Sequence, residues 1–315
     1  MALLGGILAQ LLHLALLLVA APLVLGITRW LRERMLGRRG APVLQPFRDM
    51  DRLLRKQPVL AENASWISEA APYAGLAACL AAAALVPSFT GGMLLATTAD
   101  LLVVAGLLAA ARMALLLAGM DAGTALGGMG AARGLAVSVF TEPALLACAI
   151  SFSILAGTTN LDGIAAAFRE GAPGLRVPLA LVGMAMLMLA LTGNARNRTG
   201  LVEPAMADDA MLLESSGRHL ALWEYQSALR LTLWLALFAA LFLPFGMAPA
   251  GAGPLLWLVG LLAWAVKMGG LCLVLAIFES AGAGMRLSRL PEFLGLALLL
   301  ALLAAALLFL GTGLA

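Results

Sequence analysis

Eight apolar stretches of near-bilayer length run through the chain, at residues 3–27, 69–86, 93–117, 135–156, 177–191, 229–245, 254–278 and 291–310. A helix needs about 20 mostly apolar residues to cross the hydrocarbon core. Each stretch approaches that length, and the fifth is the shortest. Of the 315 residues, 63% are hydrophobic and only 12% are charged. That is about half the charged share of a soluble domain. No water-soluble core can cover so much apolar side chain. The fold class is therefore all-α, a polytopic membrane protein of about eight transmembrane helices, with one integral membrane domain over 1–315. The first stretch has no charged lead-in, so it reads as a retained helix rather than a cleaved signal.

Basic residues settle the expected orientation, because they collect in cytoplasmic loops. Nine follow the first span: Arg29, Arg32, Arg34, Arg38, Arg39, Arg48, Arg52, Arg55 and Lys56. Arg112 and Arg133 accompany the third span, Arg196, Arg198, Arg218 and Arg230 follow the fifth, and Arg286 and Arg289 follow the seventh. In all, 17 of the 20 lysines and arginines fall on one side, leaving Arg169 and Arg176 opposite and Lys267 inside a span. The odd-numbered loops are thus expected in the cytoplasm and both termini outside. The two large cytoplasmic loops are 28–68 and 192–228. Within the first, Phe47, Met50, Leu53 and Leu54 recur at helical spacing between charges, which predicts a short interfacial helix over 45–56. Attraction of this basic segment to anionic lipid is the simplest reading of its charge.

Charges inside membrane helices are costly and tend to be functional or paired. Asp100, Arg112, Glu142 and Lys267 lie in the spans, and Glu279 lies at an inner helix end. A rise of about 1.5 Å per residue puts Arg112 about 7 Å and Glu142 about 10 Å from the cytoplasmic side, Lys267 about 16 Å and Asp100 about 25 Å. An Arg112–Glu142 ion pair is expected from the matching depths. Thr141-Glu142-Pro143 reads as the opening of the fourth helix, because proline is tolerated there. The glycine-rich run 127–134 reads as a flexible or tightly packed loop. His13, alone in the first span, reads as a polar contact between helices. Cys79, Cys148 and Cys272 are scattered among apolar residues and read as inert thiols. No HExxH, GxSxG or P-loop pattern occurs, and nothing supports nucleic-acid binding beyond basic residues that topology explains.

Five blocks carry a family resemblance. The run GRRGAPVLQPFRDMDRLLRKQ from Gly37 resembles the loop after the first helix in the subunit 1 family of respiratory complex I. It is closest to the version in membrane-bound NiFe hydrogenase and formate hydrogenlyase complexes. Ala99-Asp100, Ala111-Arg112 and GMDAGTALGGMGAARG from Gly119 resemble the family's second block. VFTEPALL from Val139, AMLLESSGRHLAL from Ala210 and VKMGGLCLVLAIFESAGAGMRL from Val266 resemble the third, fourth and fifth. The blocks keep the family's order over most of the chain.

The resemblance implies the membrane heel of a redox complex, a subunit without chemistry of its own. It implies that Arg38, Arg39, Gln45, Arg48, Asp49, Arg133, Glu214, Ser216 and Gly217 dock a hydrophilic arm. It implies a polar axis of Asp100, Arg112, Glu142, Lys267 and Glu279 toward antiporter-like membrane subunits, for proton or sodium movement. Fe–S clusters and the NiFe centre would belong to the hydrophilic Fe–S and hydrogenase large and small partner subunits. This chain has no ligand set for them. Two departures, Gly134 in place of a carboxylate and Asn194 near a usual glutamate, leave fewer acids at the entrance. They weigh against quinone binding. The rival readings are a quinone-site subunit of an NADH dehydrogenase and a stand-alone secondary transporter. The expected location is the inner membrane of a prokaryote.

Overall fold

A computed structural model of the chain describes residues 2–169, 176–193, 202–203, 206–249, 251–281, 285–286 and 290–313. The helices are α1 (Ala2–Met35), α2 (Gln45–Leu54), α3 (Trp66–Leu85), α4 (Leu101–Asp121), α5 (Ala125–Ala156), α6 (Leu161–Arg169), α7 (Arg176–Gly193), α8 (Met206–Leu213), α9 (Gly217–Phe242), α10 (Pro254–Ala281) and α11 (Leu290–Gly313). Among the described residues, α1, α3, α4, α5, α9, α10 and α11 are long and apolar enough to span a membrane. The expected fifth span is α7, whose apolar part Val177–Ala190 is shorter. The chain is thus an all-α multi-pass membrane protein.

The bundle is built around α9. In its most apolar stretch 83% of residues are buried, against 28% in α10 and in α11. It packs on α1, α2, α3, α6, α7 and α10. Its inward aromatics extend the core, with Phe242 stacked on Phe238 at 4.6 Å and edge-on to Phe152 at 5.4 Å. The outward faces of α10 and α11 carry exposed Leu258, Leu262, Val266, Leu299 and Phe309. That pattern suits lipid, where apolar exposure carries no penalty. His13 is buried between helices, with Nδ1 2.7 Å from Ser88 Oγ and Nε2 2.8 Å from the Ala83 carbonyl. The three cysteines are free and buried.

The connections sort onto two faces. On one, the 55–65 stretch, the α4–α5 turn and the α8–α9 turn are tied by side chains, and strand β1 (Val202–Glu203) pairs in parallel with β2 (Met285–Arg286). On the other, Gly91 N donates to Ala248 O at 3.0 Å, Leu161 N to Ala99 O at 2.8 Å and Gly92 N to Asp162 Oδ2 at 2.7 Å. Odd and even connections therefore lie on opposite faces. The first is the loop face. The beginning of the second large loop, with Asn194, Arg196 and Arg198, lies outside the described residues, as does Arg289, and so do the side chains of Arg176 and Arg286.

Burial pushes the Asp162 carboxyl above its ordinary range, opposed by the Gly92 N–H and the Arg169 charge. A native carboxyl that holds its proton more tightly than the unfolded one favours the fold at low pH, and that advantage is lost as pH rises through the carboxylate range. Asp162→Asn should flatten this part of the stability profile, read as unfolding midpoints in detergent across pH.

Three helix boundaries differ from the sequence reading. Helix α4 starts at Leu101, after a 3₁₀ turn over Ala96–Thr98. Asp100 caps it by accepting from Leu102 N at 2.8 Å. Helix α5 starts at Ala125, so the glycine-rich run is helical. Thr124 caps it through Gly127 N at 3.0 Å. Its glycines are contact surfaces. A Cβ on Gly127 would meet the Gly119 carbonyl, one on Gly134 would meet Leu116, and one on Gly119 would meet Met211. Small residues let α4, α5 and α8 approach closely, which offsets the poor helix propensity of glycine. Helix α9 starts at Gly217 rather than near Leu229, so Arg218 and Arg230 are helical and Arg230 is buried.

Candidate functional site

The loop face is braced by a small set of polar contacts. Ser216 Oγ accepts from Val59 N at 2.7 Å and donates to Val59 O at 3.1 Å. The next residue, Gly217, is buried with φ +54°, and a Cβ there would run into the carbonyls of Lys56 and Gln57. Only glycine meets both demands at no steric cost. Glu214 Oε1 accepts from Thr124 Oγ1 at 2.5 Å, tying the α8–α9 turn to the start of α5. Asp121, at the end of α4, accepts from Ser65 N (2.9 Å), Ser65 Oγ (2.5 Å), Ser68 N (3.1 Å) and Ser68 Oγ (2.6 Å). It closes the start of α3, whose first backbone N–H groups lack helical partners.

Among the expected docking residues, Ser216 and Gly217 thus join the end of the first loop, and Glu214 joins the start of α5. Gln45, Arg48 and Asp49 sit together on α2, with Gln45 Nε2 donating to Asp49 Oδ1 at 3.0 Å and Arg52 reaching the same oxygen at 3.5 Å. Arg38, Arg39 and Arg48 are exposed. Arg133 is exposed on α5, away from α2 in sequence and on a different element. Thr124, Asp121, Ser65 and Ser68 were not singled out by sequence reasoning. The ST-turn chemistry of Ser65 and the Asp121-Ala-Gly-Thr124 turn were the available signals. Asp121→Ala should cost about 1–2 kcal/mol, as for loss of a helix cap. The check is a lower unfolding midpoint of the purified chain in detergent, with secondary structure retained.

Among the described contacts, the five expected axis residues do not form one chain. Arg112 Nη1 donates to Thr141 Oγ1 at 3.2 Å, and among the described residues the ion pairs do not include Arg112–Glu142. Glu142 lies within α5, eighteenth of 32 residues, not at a helix start. Its Oε1 is buried without a hydrogen-bond partner. The Lys267 ammonium sits over the Phe245 ring at 4.9 Å, a cation–π contact. Glu279 is buried and feels the Arg32 charge across the α1–α10 contact. Arg32 itself reaches Glu33 at 3.4 Å. Asp100 lies on the face opposite the loops, where Thr159 Oγ1 donates to its Oδ2 at 2.6 Å. Among the described residues, no three His, Cys, Asp or Glu side chains gather as a metal site.

Helix α9 adds a polar stripe. His219, Trp223, Gln226 and Arg230 are spaced four, three and four apart, so they share one helix face. All four are at most 5% exposed. Gln226 Nε2 donates to the Ala111 carbonyl at 3.0 Å, beside Arg112, and its Oε1 is without a partner. A Cβ on Gly75 would strike Gln226 and Trp223, so α3 approaches closely along this stripe. The sequence carried this signal, but the basic count had assigned Arg230 to a loop.

The NADH dehydrogenase family model, that of complex I subunit 1, matches residues 8–310. The chain belongs to this family. Formate hydrogenlyase subunit 4 of Escherichia coli (strain K12) is 30% identical over 289 residues, 91% of this chain and 94% of that one. Hydrogenase-4 component C of the same organism is 31% identical over 234 residues, 74% of each chain. A chain of the membrane-bound sulfane sulfur reductase, an archaeal respiratory membrane complex, superposes with a TM-score of 0.79 at 20% identity, covering 96% of this chain and 99% of that one. At that identity the likeness concerns the fold. The complex I subunit 1 architecture thus accommodates α9, with its buried polar stripe, as the central helix of this member.

Proposed function

We propose that this chain is the membrane-anchor and coupling subunit of a NiFe hydrogenase or formate hydrogenlyase-type complex in a prokaryotic inner membrane. The observation that carries this reading is the braced loop face, in a chain whose curated relatives are named components of hydrogenase complexes. The Ser216–Val59, Thr124–Glu214 and Asp121–serine contacts hold three loops as one surface. Exposed Arg38, Arg39 and Arg48 give that surface positive charge, which steers and orients an acidic partner more than it adds affinity. The loop face is the cytoplasmic one, and it receives the Fe–S and hydrogenase large and small subunits.

Beneath that face, Arg112, Glu142, the α9 stripe and Lys267 place ionisable and polar groups within the apolar bundle. Buried charges of this kind are expensive in a membrane and are retained for ion pathways. Redox energy released in the arm is passed through them to antiporter-like membrane subunits. The test is deletion of this chain. Dye-linked hydrogenase activity should survive in the soluble fraction, while ion uptake by inverted vesicles is lost. Full ion uptake without this chain would overturn the reading.

A further inference from the structure

One face of α10 is covered over half its length and open over the other half. Gly260, Ala263, Lys267, Gly270, Val274 and Phe278 recur at helical spacing along it. A Cβ on Gly260 would meet the Phe89 carbonyl, and one on Gly246 would meet Ala263. The half away from the loop face is therefore closed by the chain's own turns. In the other half Gly270, Val274 and Phe278 are exposed, with open space where a Gly270 Cβ would stand. Lys267 is half-buried at the boundary, with its ammonium 4.9 Å from the centre of the exposed Phe245 ring. Leu258 and Leu262 lie on a different flank of the helix, well over 90° around from Lys267 at about 3.6 residues per turn.

That ammonium stands deep in the bilayer. Lys267 is the fourteenth of the 28 residues of α10. The hydrocarbon core is about 30 Å thick, so a group midway along the helix is about 15 Å from either interface, farther than a lysine stem extends. Exposed Leu255 and Leu258 on one side, and Val274 and Phe278 on the other, bracket it with apolar surface. A charge at this level pairs with another or faces a polar interior. The ion pairs among the described residues do not include Lys267. The carboxylates nearest the covered half are held elsewhere, Asp100 by Leu102 N and Thr159 and Asp162 by Gly92 N. Glu279 is twelve residues further along α10, about 18 Å away.

We propose that the open half of this α10 face seats a transmembrane helix of a partner membrane subunit, and that an aspartate or glutamate within that helix pairs with Lys267. The seat rests on the reading of this chain as a subunit of a membrane complex. Charge complementarity selects the occupant. A lipid phosphate stays at headgroup level, about 15 Å away. A second copy of this chain, related by a twofold axis, would set the same patch against itself and bring two ammoniums together. A hydrophilic subunit does not enter the hydrocarbon. A carboxylate on an apolar helix meets both demands of the site, apolar contact with Val274 and Phe278 and a counter-charge for Lys267. Gly270 lets the incoming backbone come close, as small residues do between membrane helices. The Leu258 and Leu262 flank is left to lipid.

The test uses the full chain in the membranes where it is made. A photoreactive benzoylphenylalanine is encoded at Val274, or at Leu262 on the other flank, and the peptide it captures on illumination is sequenced by mass spectrometry. The Val274 probe should capture a membrane-spanning segment of another subunit with an aspartate or glutamate inside its apolar stretch. The Leu262 probe should capture no such segment. Lys267→Met keeps the bulk of the side chain and removes its charge. It should lower the Val274 crosslink yield about tenfold or more, as when one partner of a buried charge pair is truncated, while the chain stays in the membrane at its wild-type level. Lys267→Arg should keep most of the yield. Capture by the Val274 probe of lipid alone, of a second copy of this chain or of a segment without an acidic residue overturns the proposal, as does a yield that Lys267→Met leaves unchanged. Should the methionine variant fail to accumulate, the peptide captured in the otherwise wild-type chain decides alone. A wild-type chain that carries no other subunit removes the complex reading and this seat with it. Partner subunits that co-purify while the Val274 probe meets only lipid remove the seat alone.

Discussion

Gly217→Val is expected to release the hydrophilic arm from the membrane while leaving this chain inserted. Gly217 has φ +54°, a region that costs a residue with a Cβ about 1–2 kcal/mol, and a β-branched side chain is among the least tolerant there. The new atoms would also overlap the carbonyls of Lys56 and Gln57. The 56–59 stretch must then move away from the α8–α9 turn, breaking both Ser216–Val59 hydrogen bonds. With about 0.5–1.5 kcal/mol for each of the two bonds, the local loss comes to about 2–5 kcal/mol, reaching the range of severe single substitutions. The long apolar stretch of α9 keeps its packing against α1 and α3. Membrane insertion should therefore survive. Fractionation should find the chain in membranes and hydrogenase activity in the soluble fraction. Retention of the whole arm on membranes at wild-type salt resistance would contradict the role given to this contact.

Glu142→Gln should assemble normally and uncouple. The substitution conserves shape, and Oε1 has no hydrogen bond to lose. The change in stability should stay within about 1 kcal/mol. What is lost is the capacity to carry a charge and exchange a proton, and the described ion pairs do not include Glu142. Pro143 lies next to it inside α5 and has no N–H, so the helix is one backbone donor short at this level. Thr141 links the same turn to Arg112. A carboxylate beside a weakened helix turn and near an arginine-bearing neighbour is suited to gated exchange. Ion uptake per turnover should fall about tenfold or more, while dye-linked hydrogenase activity is unchanged. A variant that assembles and takes up ions at the wild-type yield would make Glu142 structural.

The membrane class and most of the spans were legible because hydropathy over about 20 residues reports bilayer solubility directly, although the expected fifth span, α7, is shorter than the other seven. The separation of odd and even connections was legible from the basic residues, since charge placement is a property of whole loops. Helix ends were less legible. The run 127–134 reads as a loop by propensity, yet Gly119, Gly127 and Gly134 are the residues that allow α4, α5 and α8 to touch. Propensity is local, and helix contact is not. Glu142 was assigned to a helix start on the strength of Pro143, although a membrane helix tolerates proline in its interior. The α9 stripe was missed because Arg230 was weighed as a loop charge. Its partners Ala111 and Gly75 come from helices more than 100 residues away in sequence. The bracing of the loop face by Asp121 and Thr124 was likewise invisible without the packing.

The identity of the proteins that travel with this chain decides whether it anchors a hydrogenase. A tag on the chain, mild solubilisation of the membranes in which it is made, and mass spectrometry with metal analysis of the purified material would suffice. The purified material should hold hydrophilic Fe–S subunits, a nickel-containing large subunit and antiporter-like membrane subunits in fixed proportion. Recovery of the chain as a lone, active transporter, free of iron and nickel, would contradict the anchor role.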